Sequence, residues 1–123
     1  MSGVHCNGTR PAALWNWNDL PAVRDDAFVQ AATIPTPDPV SLHFGASKAG
    51  FDSGVHSHPY DQWQMVFSGA AVMSCDGVEH QLGPGSVLRI PAGMPHRLVV
   101  LEDLRAIEFG LGRDVEPQQL GPH

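Results

Sequence analysis

Apolar and polar residues alternate through the second half of the chain, and this pattern predicts a series of short β-strands. In residues 62–67 the even positions are Gln, Gln and Val, whereas the odd positions are Trp, Met and Phe. Successive side chains of a strand point to opposite faces, so the two sets separate. The apolar set (Trp63, Met65 and Phe67) would be an unusual exposed patch. We expect a second sheet, the segment around Trp15 and Trp17 or a second subunit to cover it.

The same alternation recurs at short intervals, and turn residues separate the stretches. Asp76-Gly77 lies between two such stretches and predicts a type I′ hairpin turn. No stretch has the period of a helix of ordinary length. The pattern predicts strands at residues 41–46, 55–58, 62–67, 71–75, 78–82, 87–90, 96–101 and 104–109, with a weak one in 27–34. Such short strands with turn-rich joints are typical of a jelly roll or small barrel.

This pattern divides the chain into three parts. Residues 1–39 are expected to form a partly ordered arm and linker, because they lack clear periodicity and end in Pro35, Pro37 and Pro39. Trp15 and Trp17 should give this arm one apolar face. Residues 40–111 are predicted to form the barrel, and residues 112–123 a polar surface tail.

Composition and charge limit the kinds of molecule that the protein is expected to bind. The chain has 123 residues, enough for one domain, and a formal net charge of −6, with 7 basic residues scattered along it. Nucleic acids and anionic membranes require clustered positive charge, so neither is expected as a partner. Cys6 and Cys75 are expected to be free thiols. No signal peptide or membrane span is apparent, and a cytoplasmic location is expected.

Histidines at short spacing are the candidate chemical groups. His56 and His58 lie two residues apart, so in an extended segment both imidazoles point to the same side. Gln62 can join them if the chain bends after Pro59, and His96 follows in a second patterned stretch. Imidazole is the commonest protein ligand for transition metals. These four residues are candidate ligands of one metal ion, although His-x-His alone is more often structural.

The two stretches around these histidines resemble the paired motifs of the cupin superfamily. Gly50, His56, His58, Gln62 and Gly69 stand at the intervals of the first motif, with Gln62 in place of the usual Glu. The second motif is matched at Gly85, Pro91, Gly93 and His96, while Val100 replaces a common Asn. The resemblance implies an all-β double-stranded β-helix, the cupin jelly-roll barrel. It also implies a mononuclear metal held by His56, His58, Gln62 and His96, often in a homodimer.

The amide at position 62 affects the expected chemistry. A neutral ligand leaves the full charge on a divalent metal, which makes the metal a stronger Lewis acid than a carboxylate ligand would. The resemblance therefore implies one divalent transition metal (Mn, Ni, Zn or Fe) and an enzyme of the lyase, isomerase or cyclase type. Its substrate would be a small oxygenated molecule. A metal-dependent dioxygenase and a non-catalytic small-molecule sensor remain alternatives.

Further site residues follow from the alternation. His43 should face the lumen and is the candidate general base, with a structural role equally open. Its replacement by Ala should leave metal content intact and reduce turnover at least ~100-fold if it is the base. Arg89 and Arg105 could bind a substrate carboxylate, but surface ion pairs are favoured for them. The candidate substrate-binding residues are Gln64, Val66, Leu98 and Glu108.

Overall fold

The computed structural model of the protein describes residues 11–36 and 38–111. The expectations for Cys6, for Pro37 and for the tail from Gly112 lie outside the described residues. Seven β-strands follow one short 3-10 turn, Trp17–Asp19: β1 Ala22–Asp25, β2 Val29–Thr33, β3 Val40–Ser47, β4 Asp61–Cys75, β5 Val78–Leu82, β6 Val87–Ile90 and β7 His96–Leu111. The all-β jelly-roll prediction is confirmed. No helix in residues 11–36 and 38–111 is long and apolar enough to cross a membrane.

The two longest strands, β4 and β7, organise the sheet. They pair antiparallel from Asp61 opposite Leu111 to Cys75 opposite His96, with register shifts between residues 66 and 71. The first half of β4 also pairs with β6, and its second half with β5. On the other side of β7 the order continues through β3 and β2 to β1. Since β4 changes its partner from β6 to β5 along its length, and β7 pairs with β3 only from Leu104 onward, the sheet folds over on itself.

The core lies along β4 from Val66 to Cys75 and along β7 from Leu98 to Ala106. Its buried side chains alternate along β4 and β7, as period-2 patterning requires. They include Val66, Ala71, Met73, Cys75, Ile90, Leu98, Val100, Leu104 and Ala106. Cys75 is a buried free thiol, and burial raises its pKa.

Several predicted strands have different limits in the structure. The predicted strand 55–58 is wrong: only single bridges join Asp52 to Val99 and His56 to His96. Gly54, with φ of +71°, interrupts the extended conformation there. The two predicted strands 96–101 and 104–109 form the single strand β7. The hairpin at Asp76-Gly77 and the strand 87–90 are confirmed.

The sheet begins earlier than residue 41. The weak strand in residues 27–34 is β2, which pairs with β3 along its whole length, and β1 pairs with β2. The segment predicted as an arm therefore contributes two strands to the sheet. β1 is the edge strand and has no buried residue, whereas three of the five residues of β2 are buried, in a pattern that does not alternate strictly.

Trp17 covers part of the outer face. Its ring packs on Phe44 at a centroid distance of 4.6 Å and on Phe67 at 5.8 Å, and the Arg105 guanidinium lies 5.0 Å from the same ring. The segment before β1 is therefore one cover of the apolar patch, as expected. Phe67 keeps 48% of its surface exposed. A homodimer stays a prediction.

Candidate metal centre

An irregular loop between β3 and β4 carries the first two candidate ligands and is fixed to the start of β7. His56 and His96 exchange two backbone hydrogen bonds, of 2.9 and 2.8 Å, and the His58 carbonyl accepts one from Gly93 at 2.8 Å. Further along, Ser53 and Leu98 are joined by two more bonds. These backbone bonds hold the His-x-His loop against the strand that supplies the third histidine.

The three imidazoles converge. One ring nitrogen each of His56, His58 and His96 lies within 4.8 Å of the others. The ring centroids of His56 and His96 are 4.2 Å apart, and the other two pairs are separated by 5.1 and 5.3 Å. Donor atoms at such separations suit a single ion of ordinary coordination geometry. The three histidines can hold a metal ion.

Two of the rings are hydrogen bonded in a way that prepares them for ligation. Nδ1 of His56 lies 3.1 Å from the Gly54 carbonyl, and Nδ1 of His96 lies 3.0 Å from that of Met94. A carbonyl only accepts, so each Nδ1 carries a proton, and in the neutral ring that a metal ion binds the Nε2 presents the lone pair. Burial, together with nearby His56, lowers the pKa of His96, which keeps its ring neutral. The buried Nε2 of His96 has no hydrogen-bond partner among the described residues.

Gln62 lies on β4 beside the cluster and is only 2% exposed. Its Nε2 donates a short hydrogen bond to Oε2 of Glu108, and its buried Oε1 has no partner in the described part of the chain. Buried polar atoms rarely lack a partner, because an unsatisfied group costs roughly 1–3 kcal/mol. The unpaired Gln62 Oε1 and His96 Nε2 are therefore the atoms that a metal ion would satisfy. The residues fit the group that the motifs imply.

A cavity of about 460 Å³ lies over the cluster. Besides the four candidate ligands it is lined by Arg24, Phe51, Asp52, Ser53, Ser57, Gln64, Met73, Leu98 and Glu108. Asp52 is engaged by the Arg97 guanidinium, which holds the pKa of that carboxyl well below its usual range. Burial raises the pKa of Glu108 to about 7. The cavity is therefore lined by charged, polar and apolar side chains.

The comparisons with known proteins agree with this geometry. The family model of the cupin domain matches residues 45–109, more than half of the chain. The chain belongs to the cupin domain family. No curated protein matches the chain significantly.

Solved structures share the cupin fold at low sequence identity. KdgF from Halomonas sp. has a TM-score of 0.71 at 23% identity, covering 85% of this chain and 97% of its own. An RmlC-like cupin from Shewanella frigidimarina NCIMB 400 has a TM-score of 0.72 at 15% identity, with coverages of 89% and 94%. A salicylate 1,2-dioxygenase from Pseudoaminobacter salicylatoxidans, in complex with gentisate, has a TM-score of 0.62 at 18% identity. This cupin covers 25% of that chain and aligns over 69% of its own length. These similarities show the fold.

His43, the candidate base, lies away from the histidine cluster in this cupin. It lines a neighbouring cavity of about 170 Å³. Its two ring nitrogens lie 2.7 Å from the Thr33 hydroxyl and 2.9 Å from the Ser41 hydroxyl. Glu108 is its register partner on β7 and lines both cavities. The catalytic role of His43 stays a prediction, and these hydroxyl contacts favour a positioning role.

The candidate substrate-binding residues are divided between the cavity and the core. Gln64, Leu98 and Glu108 line the cavity over the cluster. Val66 is 3% exposed and packs in the apolar core, so the structure does not place it on the cavity surface. The face shared by Gln62, Gln64 and Val66 is continuous, but the cavity ends before it reaches Val66.

Two residues near the site were not among the candidates. Tyr60 stacks on His58 at 5.2 Å and covers Gly110, where a Cβ would lie 2.2 Å from the tyrosine ring. Burial and the charge of Glu108 raise the pKa of Tyr60. Arg24 lines the cavity from β1, although its position in the sequence gave no sign of this. Arg89 forms a surface ion pair with Asp61, as favoured.

Proposed function

We propose that this cupin is a mononuclear metal-dependent enzyme of the lyase, isomerase or cyclase type, acting on a small oxygenated organic substrate. The observation that carries the proposal is the convergence of His56, His58 and His96 at a cavity that Gln62 also lines, with the buried atoms His96 Nε2 and Gln62 Oε1 unsatisfied among the described residues. A centre that opens on a cavity leaves space for a substrate, whereas structural metal sites are closed.

The ligand set favours Lewis-acid chemistry. When bound, a divalent ion would supply positive charge to stabilise a substrate oxygen that becomes negative. His56, His58, His96 and Gln62 are all neutral ligands, so they do not reduce that charge. Glu108 lies next to Gln62 without being one of the candidate ligands.

The role of proton donor or acceptor, first assigned to His43, fits the position of Glu108 better. Its carboxyl lines the cavity over the cluster, whereas His43 lines the adjoining one. A proton donor or acceptor must lie within hydrogen-bond reach of the substrate atom. We therefore assign proton transfer to Glu108 and the alignment of neighbouring groups to His43. Gln64, whose buried Oε1 has no partner among the described residues, is assigned to substrate binding.

Elemental analysis of the purified protein tests the metal centre. We expect about one equivalent of manganese, nickel, zinc or iron in the wild type and little in H96A. The matched control is H80A, because His80 lies on the β5 hairpin strand away from the cluster. H80A should retain the metal.

Oxygen uptake tests the reaction class. Protein reloaded with Fe²⁺ should consume no oxygen with candidate oxo- and hydroxy-compounds, since the proposed reaction is not a redox reaction. Substrate-dependent oxygen consumption would contradict the Lewis-acid assignment and favour a dioxygenase. The absence of bound metal after loading with each of the four ions would contradict the metal centre itself.

A further inference from the structure

Arg24 reaches the cavity because of an irregularity in the edge strand β1. Ala22 lies opposite Ala32, but Arg24 lies opposite Ala31, so two steps along β1 correspond to one step along β2. This register shift is a β-bulge at Val23. Bulges re-aim side chains and are frequent near active sites.

The bulge decides which face of the sheet Arg24 occupies. With regular pairing from Ala22 onward, Arg24 would lie opposite Gln30, whose side chain is exposed. A shift of one residue moves a side chain to the other face of a sheet. In the observed register Arg24 lies opposite Ala31, which lines the 170 Å³ cavity. The insertion of one residue therefore directs the guanidinium inward.

Two contacts hold the guanidinium at the cavity mouth. Its Nε donates to Oδ2 of Asp26 at 2.8 Å, and its central carbon lies 5.3 Å from the centre of the Phe51 ring. Among the described residues no hydrogen bond involves its two terminal nitrogens. These two nitrogens form the planar pair that binds carboxylates bidentately.

Arg24 is also the only lysine or arginine among the described residues lining the two adjoining cavities. The carboxylate of Asp52 is already engaged by Arg97, and that of Glu108 accepts from Gln62. The cavity thus has one cation at its mouth and three imidazoles at its base, within a protein of net charge −6. Such an arrangement favours an anionic ligand.

We infer that Arg24 is a specificity-determining residue that binds the carboxylate of a small organic acid, while a second oxygen of that acid lies at the histidine cluster. This inference rests on the proposed function and specifies its substrate class. A carboxylate fits better than a phosphate, because Asp26 already balances part of the charge of Arg24. The guanidinium beside Asp26 offers less than one full positive charge, which suits the single charge of a carboxylate better than the higher charge of a phosphate.

Binding measurements with paired ligands test this assignment. The probes are oxo- and hydroxy-acids of four to eight carbons whose second oxygen is remote from the carboxylate, each paired with its methyl ester. Inorganic phosphate is a third probe. Affinities are measured by thermal shift and calorimetry on Mn²⁺-loaded and metal-free protein. At least one acid should bind the wild type ~10-fold or more tightly than its ester, since hydrogen bonds to charged groups contribute that much.

The variants R24Q and R105Q separate a local effect from a change in net charge. R24Q should lose the preference for the acid and keep the wild-type metal content. R105Q removes the same charge from the outer face, beside Trp17, and should keep the preference. The inference is overturned if no acid is preferred over its ester, if R24Q keeps the preference, or if phosphate binds through Arg24 as tightly as the best acid. A protein that binds no metal but prefers acids through Arg24 would contradict only the proposed function.

Discussion

Gln62 and Glu108 form one unit: the amide Nε2 of Gln62 donates to the Glu108 carboxylate, and its Oε1 is left buried without a partner among the described residues. An amide rotated by half a turn would place its oxygen against the carboxyl group of Glu108, and in the ionised form of Glu108 both atoms only accept. Glu108 therefore fixes the amide with its oxygen available as a ligand. Groups that orient metal ligands in this way affect metal affinity strongly.

The E108A and E108Q variants measure this orienting effect. E108A should lower metal affinity by about 10- to 100-fold, because the Gln62 amide loses its fixed orientation. E108Q should stay within a few-fold of the wild type, since its amide oxygen can still accept from Gln62. Competition with a chelator gives both affinities.

The control for this comparison is E79A, on the exposed part of the β5 hairpin. It removes the same group far from the cavity and should bind metal like the wild type. Equal affinities of E108A and the wild type would show that Glu108 does not orient Gln62.

Exchanging the side chains of residues 62 and 108 gives a second, independent measurement of the hydrogen bond between them. Q62E places two acceptors in contact, so at pH 8 the metal-free variant should be less stable than the wild type. The double variant Q62E/E108Q restores one donor and one acceptor, and should recover most of the loss. Thermal unfolding in a chelator gives the coupling free energy, which should be about 1–3 kcal/mol. If the double variant is as unstable as the sum of the single variants, the hydrogen bond contributes nothing.

Local patterns were sufficient to predict much of the fold. The β4–β5 hairpin follows from alternation on both sides of Asp76-Gly77, and these residues have φ of 48° and 84°, as a type I′ turn requires. The convergence of His56, His58 and His96 follows from motif spacing, and the structure brings them together. The turn signal lies within a short stretch whose conformation is set by neighbouring residues, whereas the placement of His96, 40 residues from His56, was implied by the resemblance to the cupin motifs.

The remaining features depend on contacts between distant parts of the chain. Gln62 and Glu108 are 46 residues apart, and no local pattern indicates their contact. The inward direction of Arg24 depends on the register between β1 and β2, which the alternation within β1 does not reveal. His43 was placed correctly on the inner side, but the hydroxyls of Thr33 and Ser41 that contact it could not be anticipated.

Gly69 allows β4 to cross β7 closely. It has φ of +94°, and a Cβ there would lie 2.1 Å from the Asp103 carbonyl oxygen. G69A should lower the free energy of unfolding by more than about 3 kcal/mol, because backbone strain is added to an overlap with main-chain atoms. G77A is the matched control: φ is +84°, but nothing lies within 4 Å of the added Cβ. G77A should lower the free energy of unfolding by only about 1 kcal/mol, because it adds backbone strain without an overlap. Urea unfolding compares the two, and equal losses would contradict the overlap.

Asp26 provides a pH-dependent contribution at the β1–β2 turn, next to the proposed carboxylate-binding residue. The hydrogen bond from Arg24 and those from the Phe28 and Val29 amides lower the pKa of Asp26 from 3.8 to about 2. A lowered pKa means that the folded protein favours the ionised carboxyl, so the stabilisation is complete above pH 3.8 and disappears as the pH falls to 2.

D26N should therefore be less stable than the wild type at pH 6, and the two should converge near pH 2. D19N removes the same charge from the exposed 3-10 turn and controls for the change in net charge. Thermal unfolding from pH 2 to 6 measures all three proteins, and a difference between D26N and wild type that persists at pH 2 would show that the carboxylate charge is not its cause.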